Sequence, residues 1–272
     1  MKKKAVFLDI DGTLILRDGS LPASAKAALE GARQKGHEMV ICTGRSYTQV
    51  EAVLDLAEFD GIVCSAGANV RRSGEVLWRG SMEPERVKAL VDFFRNHHIA
   101  YFLQAEAGIY AEDYCVKHIM EAFSSVGFDP KMVEEAFGQT TILERPEEEP
   151  HIEKCCYFQC TLEAAQVQEA LGPYYQVVDS SYKLTRFCDG EVVKAGCNKA
   201  TGMERYLEAV GLSREDSIAF GDGPNDLEML AYAHTGVCMG NGTDRTKAVA
   251  DLVCGRVDED GLYNAFLDLG LI

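Results

Sequence analysis

No stretch of this chain stays apolar for long enough to span a bilayer, which takes about 20 such residues in a helix. Positive charge is scarce. Lysine and arginine number 27 against 43 aspartates and glutamates, a net charge of −16. A surface of that sign does not suit the phosphate backbone of nucleic acid. It still allows an anionic small molecule, because one metal ion and one or two basic groups can dominate a cleft. A cleavable leader is not expected either. Met1-Lys2-Lys3-Lys4 opens like a signal peptide, but Asp9 and Asp11 interrupt the apolar segment and no small-residue cleavage site follows. Zinc-ligand spacing is absent from the ten cysteines, whose one cluster is Cys155-Cys156-Tyr157-Phe158-Gln159-Cys160. Reduced thiols packed in a cytoplasmic protein are the expectation. There is no internal repeat.

What is present is a globular composition, 47% hydrophobic and 26% charged over 272 residues, enough for one large domain or two ordinary ones. The first part alternates strand and helix: a strand over 5–9, a helix over 23–35, a strand over 38–42, a helix from Tyr47, and a strand over 61–64. Such alternation predicts an α/β fold with a parallel sheet and right-handed crossovers. Val70 to Trp78, broken by Ser73-Gly74, reads as a hairpin.

The pattern then changes. Helices are expected over 84–96, 114–126 and 162–171. Strands are expected over 101–104, 109–111, 155–160, 175–179 and 183–187. Glu147-Glu148-Glu149 reads as a solvated loop. Alternation resumes with a helix over 199–210, a strand over 217–220, a helix over 225–232, a strand over 235–239, and helices near 243–250 and 260–268. The division that follows is a discontinuous core, 1–82 and 188–272, interrupted by an α+β insertion over 83–187.

Chemistry concentrates where predicted strands end. Asp9-Ile10-Asp11-Gly12-Thr13 closes the apolar run Ala5-Val6-Phe7-Leu8. Two carboxylates two residues apart on a strand point the same way, at the sheet edge where open α/β folds place ligands. Like charges that close need a cation or a shared proton. A Mg²⁺ site, or a nucleophile beside an acid/base group, answers that need. Gly221-Asp222-Gly223-Pro224-Asn225-Asp226 follows a second strand. Taken alone, Asp222 suits a turn and Asp226 suits a helix start. Two such clusters at one edge of one sheet suit a shared site better.

In this order the elements resemble the haloacid dehalogenase (HAD)-type phosphatases, in the Cof-type branch (subclass IIB) with a large α/β cap. The resemblance spans the chain. It rests on Asp9–Thr13, Thr43-Gly44-Arg45, Cys197-Asn198-Lys199-Ala200-Thr201-Gly202, Gly221–Asp226, Met239-Gly240-Asn241-Gly242 and Asp260-Gly261. It implies a Rossmann-like parallel-sheet core with the α+β cap inserted after the third core strand, and a cap that selects the substrate. It implies that Asp9 attacks phosphorus to give an aspartyl-phosphate, and that Asp11 is the acid and then the base. Mg²⁺ would be held by Asp9, the backbone carbonyl of Asp11, Asp222 and Asp226. Thr43, the amide of Gly44, Lys199 and Asn225 would bind the phosphoryl group. Arg45 would contact substrate or pair with a site carboxylate. Lys194 is the rival to Lys199 for the cationic role.

The implied substrate is a small phosphorylated metabolite, with no nucleic-acid or membrane partner. The branch usually has Asn-Gly-Ala after the third strand, whereas Ser65-Ala66-Gly67-Ala68-Asn69 puts Ala66 where that asparagine stands. Candidates for substrate contact in the cap are His97, His98, Tyr101, Gln104, His118, Tyr182, Lys183 and Arg186. Two other activities share these motifs: a sugar phosphomutase of the phosphomannomutase type, and a phosphate-binding module without turnover.

Overall fold

The computed structural model describes residues 2–125, 138–179 and 188–272. The chain divides into two compact units, Met1–Arg45, Gln49–Arg79 and Asn198–Ile272 in one, Ser46–Thr48 and Gly80–Cys197 in the other.

The first unit is built on an eight-stranded sheet. Across it the strands are Leu252–Val253, Thr235–Cys238, Ser217–Gly221, Ala5–Leu8, Glu38–Cys42, Gly61–Cys64, Asn69–Arg72 and Glu75–Arg79. The first six run parallel, and the last two fold back antiparallel. Ala5–Leu8, Glu38–Cys42, Gly61–Cys64 and Ser217–Gly221 are buried along their whole length. Parallel strands are covered on both faces, so apolar runs without polar alternation fit them. The hairpin turns at Ser73 and Gly74, both with positive φ (49° and 84°), the geometry that matches strand twist in a tight hairpin.

Register decides where the acidic turns emerge. Leu8 pairs with Ile41 on one side and Phe220 on the other, and Gly221 pairs with Cys238. Asp9, Thr43 and Asp222 therefore leave the sheet at one carboxyl edge. The helix Lys199–Ala209 packs Met203, Tyr206 and Leu207 into the core with Phe7, Val40 and Val63. Its start is fixed by a capping box. Asn198 Oδ1 accepts from Thr201 N (2.8 Å) and Thr201 Oγ1 accepts from Asn198 N (3.0 Å). The stretch expected as one helix over 225–232 is a short 3₁₀ turn, Pro224–Asp226, followed by the helix Leu227–Tyr232.

The second unit has a six-stranded sheet. Its order is Tyr175–Asp179, Cys188–Lys194, Ile152–Cys160, Ala100–Ala105, Gly108–Ala111 and Thr140–Ile142. All neighbours are antiparallel except the last pair. Helix Pro84–Asn96 buries Val87, Leu90, Val91 and Phe94, and Phe94 lies against Tyr101 and Tyr157. The strand expected over 183–187 lies outside the described residues, as does the last residue of the helix expected over 114–126.

Glu147 departs from the solvated loop expected of 147–149, while Glu148 stays exposed. Glu147 is 7% exposed, and both its oxygens accept from the Arg95 guanidinium (2.8 and 2.9 Å). Pro146–Glu148 forms a 3₁₀ turn that turns Glu147 inward. A bidentate arginine offsets the cost of burying that carboxylate. Arg95 lies some fifty positions earlier in the sequence, so local composition carries no sign of it.

Candidate active site

The site is built at the carboxyl edge of the parallel sheet. Asp9 is the first residue past its strand and is 4% exposed; its backbone N–H still donates to Phe220 O (3.0 Å), which holds it in register. Gly12 has φ +79°, and a Cβ there would stand 2.5 Å from Asp222 Oδ2. Only glycine gives both that turn and that clearance. Asp9, Asp222 and Asp226 each bring a carboxylate oxygen to within 4.8 Å of the others, the only such acidic group among the described residues.

Lys199 completes the cluster. It is 2% exposed, and its Nζ donates to Asp9 Oδ1 and to Asp226 Oδ1, both at 2.5 Å. The rival Lys194 instead pairs with Glu83 Oε1 at 2.7 Å. Asp226 Oδ2 accepts from the backbone N–H of Asp222 and of Gly223, both at 2.9 Å, so this carboxylate shapes the turn that carries Asp222. Asp222 Oδ1 accepts from Thr13 Oγ1 at 3.2 Å.

Three carboxylates and one ammonium leave the cluster net negative, and the acidities follow. Burial, reinforced by Asp226 and opposed by Lys199, pushes Asp9 up to about 8. Burial and Asp226 push Asp222 up to about 6, with the Thr13 hydrogen bond opposing. Burial works against the Lys199 ammonium, but Asp226 and Asp9 outweigh it and hold its pKa above the ordinary value. Surplus negative charge among hard oxygen donors suits a divalent cation.

Asp11 points elsewhere. It is paired with Arg45 through two hydrogen bonds, Nη2 to Oδ1 at 2.6 Å and Nε to Oδ2 at 2.9 Å. Arg45 also donates from Nη1 to Gln49 O at 3.4 Å. Thr43 is 1% exposed; its N–H donates to Val63 O at 2.8 Å, and its carbonyl accepts from Ala66 N at 3.2 Å. Its Oγ1 accepts from Arg45 N at 3.2 Å. Gly44 and Asn225 are half-buried beside these turns, and a Cβ on Gly223 would lie 2.5 Å from Asn225 Oδ1.

The Ser65-Ala66-Gly67 turn supports the same region. All three residues have left-handed φ (50°, 51° and 86°). A Cβ on Gly67 would lie 1.9 Å from Asn198 O, and one on Gly202 would lie 2.4 Å from Val63 Cγ1 and 3.0 Å from Gly67 Cα. The helix start that carries Lys199 thus packs directly on the turn after the third strand.

In the second unit, Tyr101 is buried and donates to Glu112 Oε2 at 2.6 Å, so it serves packing. Gln104 is 6% exposed. His97 lies against Phe93, and His118 lies edge-on to Tyr114; His98 is exposed. Tyr182, Lys183 and Arg186 fall outside the described residues. Two contributors had no role assigned from sequence, Thr13 and Asn241. Both stand inside quoted motifs, at turns that touch Asp222, and that placement was the available signal.

The sequence model of the haloacid dehalogenase-like hydrolases matches residues 6–266. The 5-amino-6-(5-phospho-D-ribitylamino)uracil phosphatase YitU of Bacillus subtilis (strain 168) is 28% identical over 270 residues, 96% of this chain and 95% of that one. The pyridoxal phosphate phosphatase YbhA of Escherichia coli (strain K12) is 26% identical over 271 residues, 96% of this chain and 97% of that one. A solved HAD subclass IIB sugar phosphatase, BT4131, superposes with a TM-score of 0.76 at 25% identity, over 99% of this chain and 100% of that one. The chain belongs to the haloacid dehalogenase-like hydrolases and is an enzyme of that family's phosphatase branch.

Proposed function

We propose that the protein is a Mg²⁺-dependent phosphatase that hydrolyses small phosphate monoesters in the cytoplasm through an aspartyl-phosphate at Asp9. The observation that carries this reading is the convergence of Asp9, Asp222 and Asp226, with Lys199 bonded to two of them. The named substrates of the relatives, a ribitylaminouracil phosphate, pyridoxal phosphate and a sugar phosphate, support small monoesters as the class. The inserted segment, 83–187, is assigned the choice of leaving group.

The donor set fits magnesium, which takes oxygen ligands and retains several waters, so few protein groups suffice. Asp9, Asp222, Asp226 and the Asp11 carbonyl would hold it. Bound there, it supplies positive charge that keeps Asp9 ionised and offsets its repulsion of a phosphate dianion.

Every remaining step belongs to the chain's own residues. Lys199 engages Asp9 Oδ1, which holds that oxygen and steadies charge as it develops. An oxygen of Asp9 attacks phosphorus, and the bond from phosphorus to the ester oxygen breaks. The leaving oxygen takes the proton of the Asp11 carboxyl group. Asp11, now a carboxylate, takes a proton from water as that water attacks phosphorus. The bond to Asp9 breaks, inorganic phosphate leaves, and Asp9 is restored. Thr43 Oγ1, the Gly44 amide and Asn225 orient the phosphoryl oxygens. The bidentate Arg45 pair holds Asp11 as a carboxylate, the form that enters the second half. In the first half Arg45 yields Asp11, and a phosphate dianion is a strong alternative partner for a guanidinium.

A panel of phosphorylated metabolites, assayed with Mg²⁺ and with EDTA on the wild type and on Asp9→Asn, tests this reading. Release of inorganic phosphate that needs both the metal and Asp9 supports it. Wild-type turnover no greater than that of Asp9→Asn overturns it.

A further inference from the structure

Asn241 stands in Met239-Gly240-Asn241-Gly242, a turn the chemistry above does not use. Its side chain is held at three points. Nδ2 donates to Gly12 O at 2.8 Å and reaches Asp222 Oδ2 at 3.4 Å. Oδ1 accepts from Val257 N at 3.0 Å. One neutral amide therefore joins the first acidic turn, the second acidic turn and the loop that precedes the helix Gly261–Asp268.

The backbone leaves Asn241 little choice of position. Met239 N donates to Gly221 O at 2.9 Å, and Thr243 N donates to Asp222 O at 3.1 Å. A Cβ on Gly242 would stand 2.5 Å from Cys238 Sγ and 3.1 Å from Asp222 O, so this turn lies flat on the Asp222 turn.

The consequence falls on Asp222. Its Oδ1 receives the Thr13 hydroxyl at 3.2 Å, and its Oδ2 faces the Asn241 amide at 3.4 Å. The terminal torsion of an aspartate is broad and two-fold, so a donor on one oxygen alone leaves the carboxylate free to swing. Donors on both oxygens, from separate segments, fix its plane. An amide does this without adding charge, whereas a lysine there would cancel the negative charge that attracts a cation. We infer that Asn241 is a positioning residue for the metal: it fixes the Asp222 carboxylate and ties the Asp9–Thr13 turn to it.

This rests on the magnesium reading of the cluster, and the test separates the two. Mg²⁺ is titrated by calorimetry into the metal-free full-length protein, wild type, Asn241→Ala and Asn241→Ser, and kcat is measured at saturating Mg²⁺. Removing a group that orients a metal ligand costs roughly 10–100-fold in metal affinity. Mg²⁺ affinity is expected to fall at least about tenfold in both variants, with kcat recovered to within about threefold once Mg²⁺ saturates. Should the alanine variant not fold, the serine variant carries the same readout, since its hydroxyl is too short to span both turns. Wild-type affinity in a folded variant overturns the inference, as does a loss of kcat that saturating Mg²⁺ does not recover. A wild-type protein that binds no Mg²⁺ overturns the magnesium reading itself, and this role with it.

Discussion

Lys199 and Asp9, 190 positions apart in the sequence, meet at 2.5 Å inside the first unit, and Lys199 makes a second bond of equal length to Asp226. Lys199 offsets the carboxylates of this cluster, with Asp9 and Asp226 both bonded to its ammonium. Removing it strands charge in the interior, which costs about 3–5 kcal/mol when a buried pair loses one member. Lys199→Met is expected to lower the unfolding free energy in EDTA by an amount of that order, read by denaturant melts. It should also lower kcat by about 10²–10³-fold through lost charge stabilisation. A variant as stable and active as wild type would show that the contact has no consequence.

The raised pKa values of Asp222 and Asp9 make the metal-free protein sensitive to pH. Both are held above the unfolded value of about 3.9, so between that value and the folded values the native state binds more protons than the unfolded state. Stability then falls as pH rises. The contribution is complete below about pH 4 and is lost as pH climbs through about 6 for Asp222 and about 8 for Asp9. Lys199, shifted upward, stays charged throughout that window. On the proposed magnesium reading the ion competes with those protons, so the rise in thermal midpoint on adding Mg²⁺ should be larger near pH 8 than near pH 5. Equal Mg²⁺-induced shifts at both pH values would contradict the coupling.

Gly202 lies on the helix that begins with Lys199. Glycine to alanine in a helix ordinarily gains up to about 1 kcal/mol. Here the new methyl would meet Val63 Cγ1 at 2.4 Å and Gly67 Cα at 3.0 Å. Overpacking should dominate, with a net loss of about 1–3 kcal/mol and a displaced Lys199. Gly202→Ala is expected to lose stability and kcat together, and Val63→Ala should restore part of both. A stabilised Gly202→Ala would show that the contact is slack.

Ala66 sits at φ 51° and ψ 42°, a left-handed conformation that costs an alanine about 1–2 kcal/mol and that asparagine adopts more readily. Ala66→Asn, which supplies the residue the family resemblance leads one to expect at this turn, should raise stability by about 0.5–1 kcal/mol. Urea melts of the two proteins measure the difference, and a less stable Ala66→Asn would refute the assignment of strain.

Legibility in the sequence followed the range of the interactions. Asp9 and Asp222 stood out because each ends an apolar run with a carboxylate and a glycine, and a parallel register carries both to one edge. Lys199 did not stand out by itself, since a lysine at a helix start reads as a solvent residue; only the family resemblance singled it out. Its burial depends on Asp226, 27 positions on, and on the glycine contact beneath its helix. Asn241 and Thr13 were inside the motifs but carried no visible role, because Thr13 acts on Asp222, 209 positions on, and Asn241 on Gly12, Asp222 and Val257, which lie in three separate turns. Glu147 was misjudged for the same reason, its partner Arg95 lying on a helix of another segment. Thr140–Ile142 is three residues long, too short for alternation to mark it as a strand.

The most direct test of the central claim is to look for the phosphorylated protein. Wild type and Asp9→Asn are mixed with a phosphate monoester and Mg²⁺, quenched in acid within the first turnovers, and read by intact-mass and peptide mass spectrometry. One added phosphoryl group on the wild-type peptide that carries Asp9, absent from Asp9→Asn, is the predicted result. Turnover with no phosphoryl adduct at any time, or an adduct that survives Asp9→Asn, would contradict it.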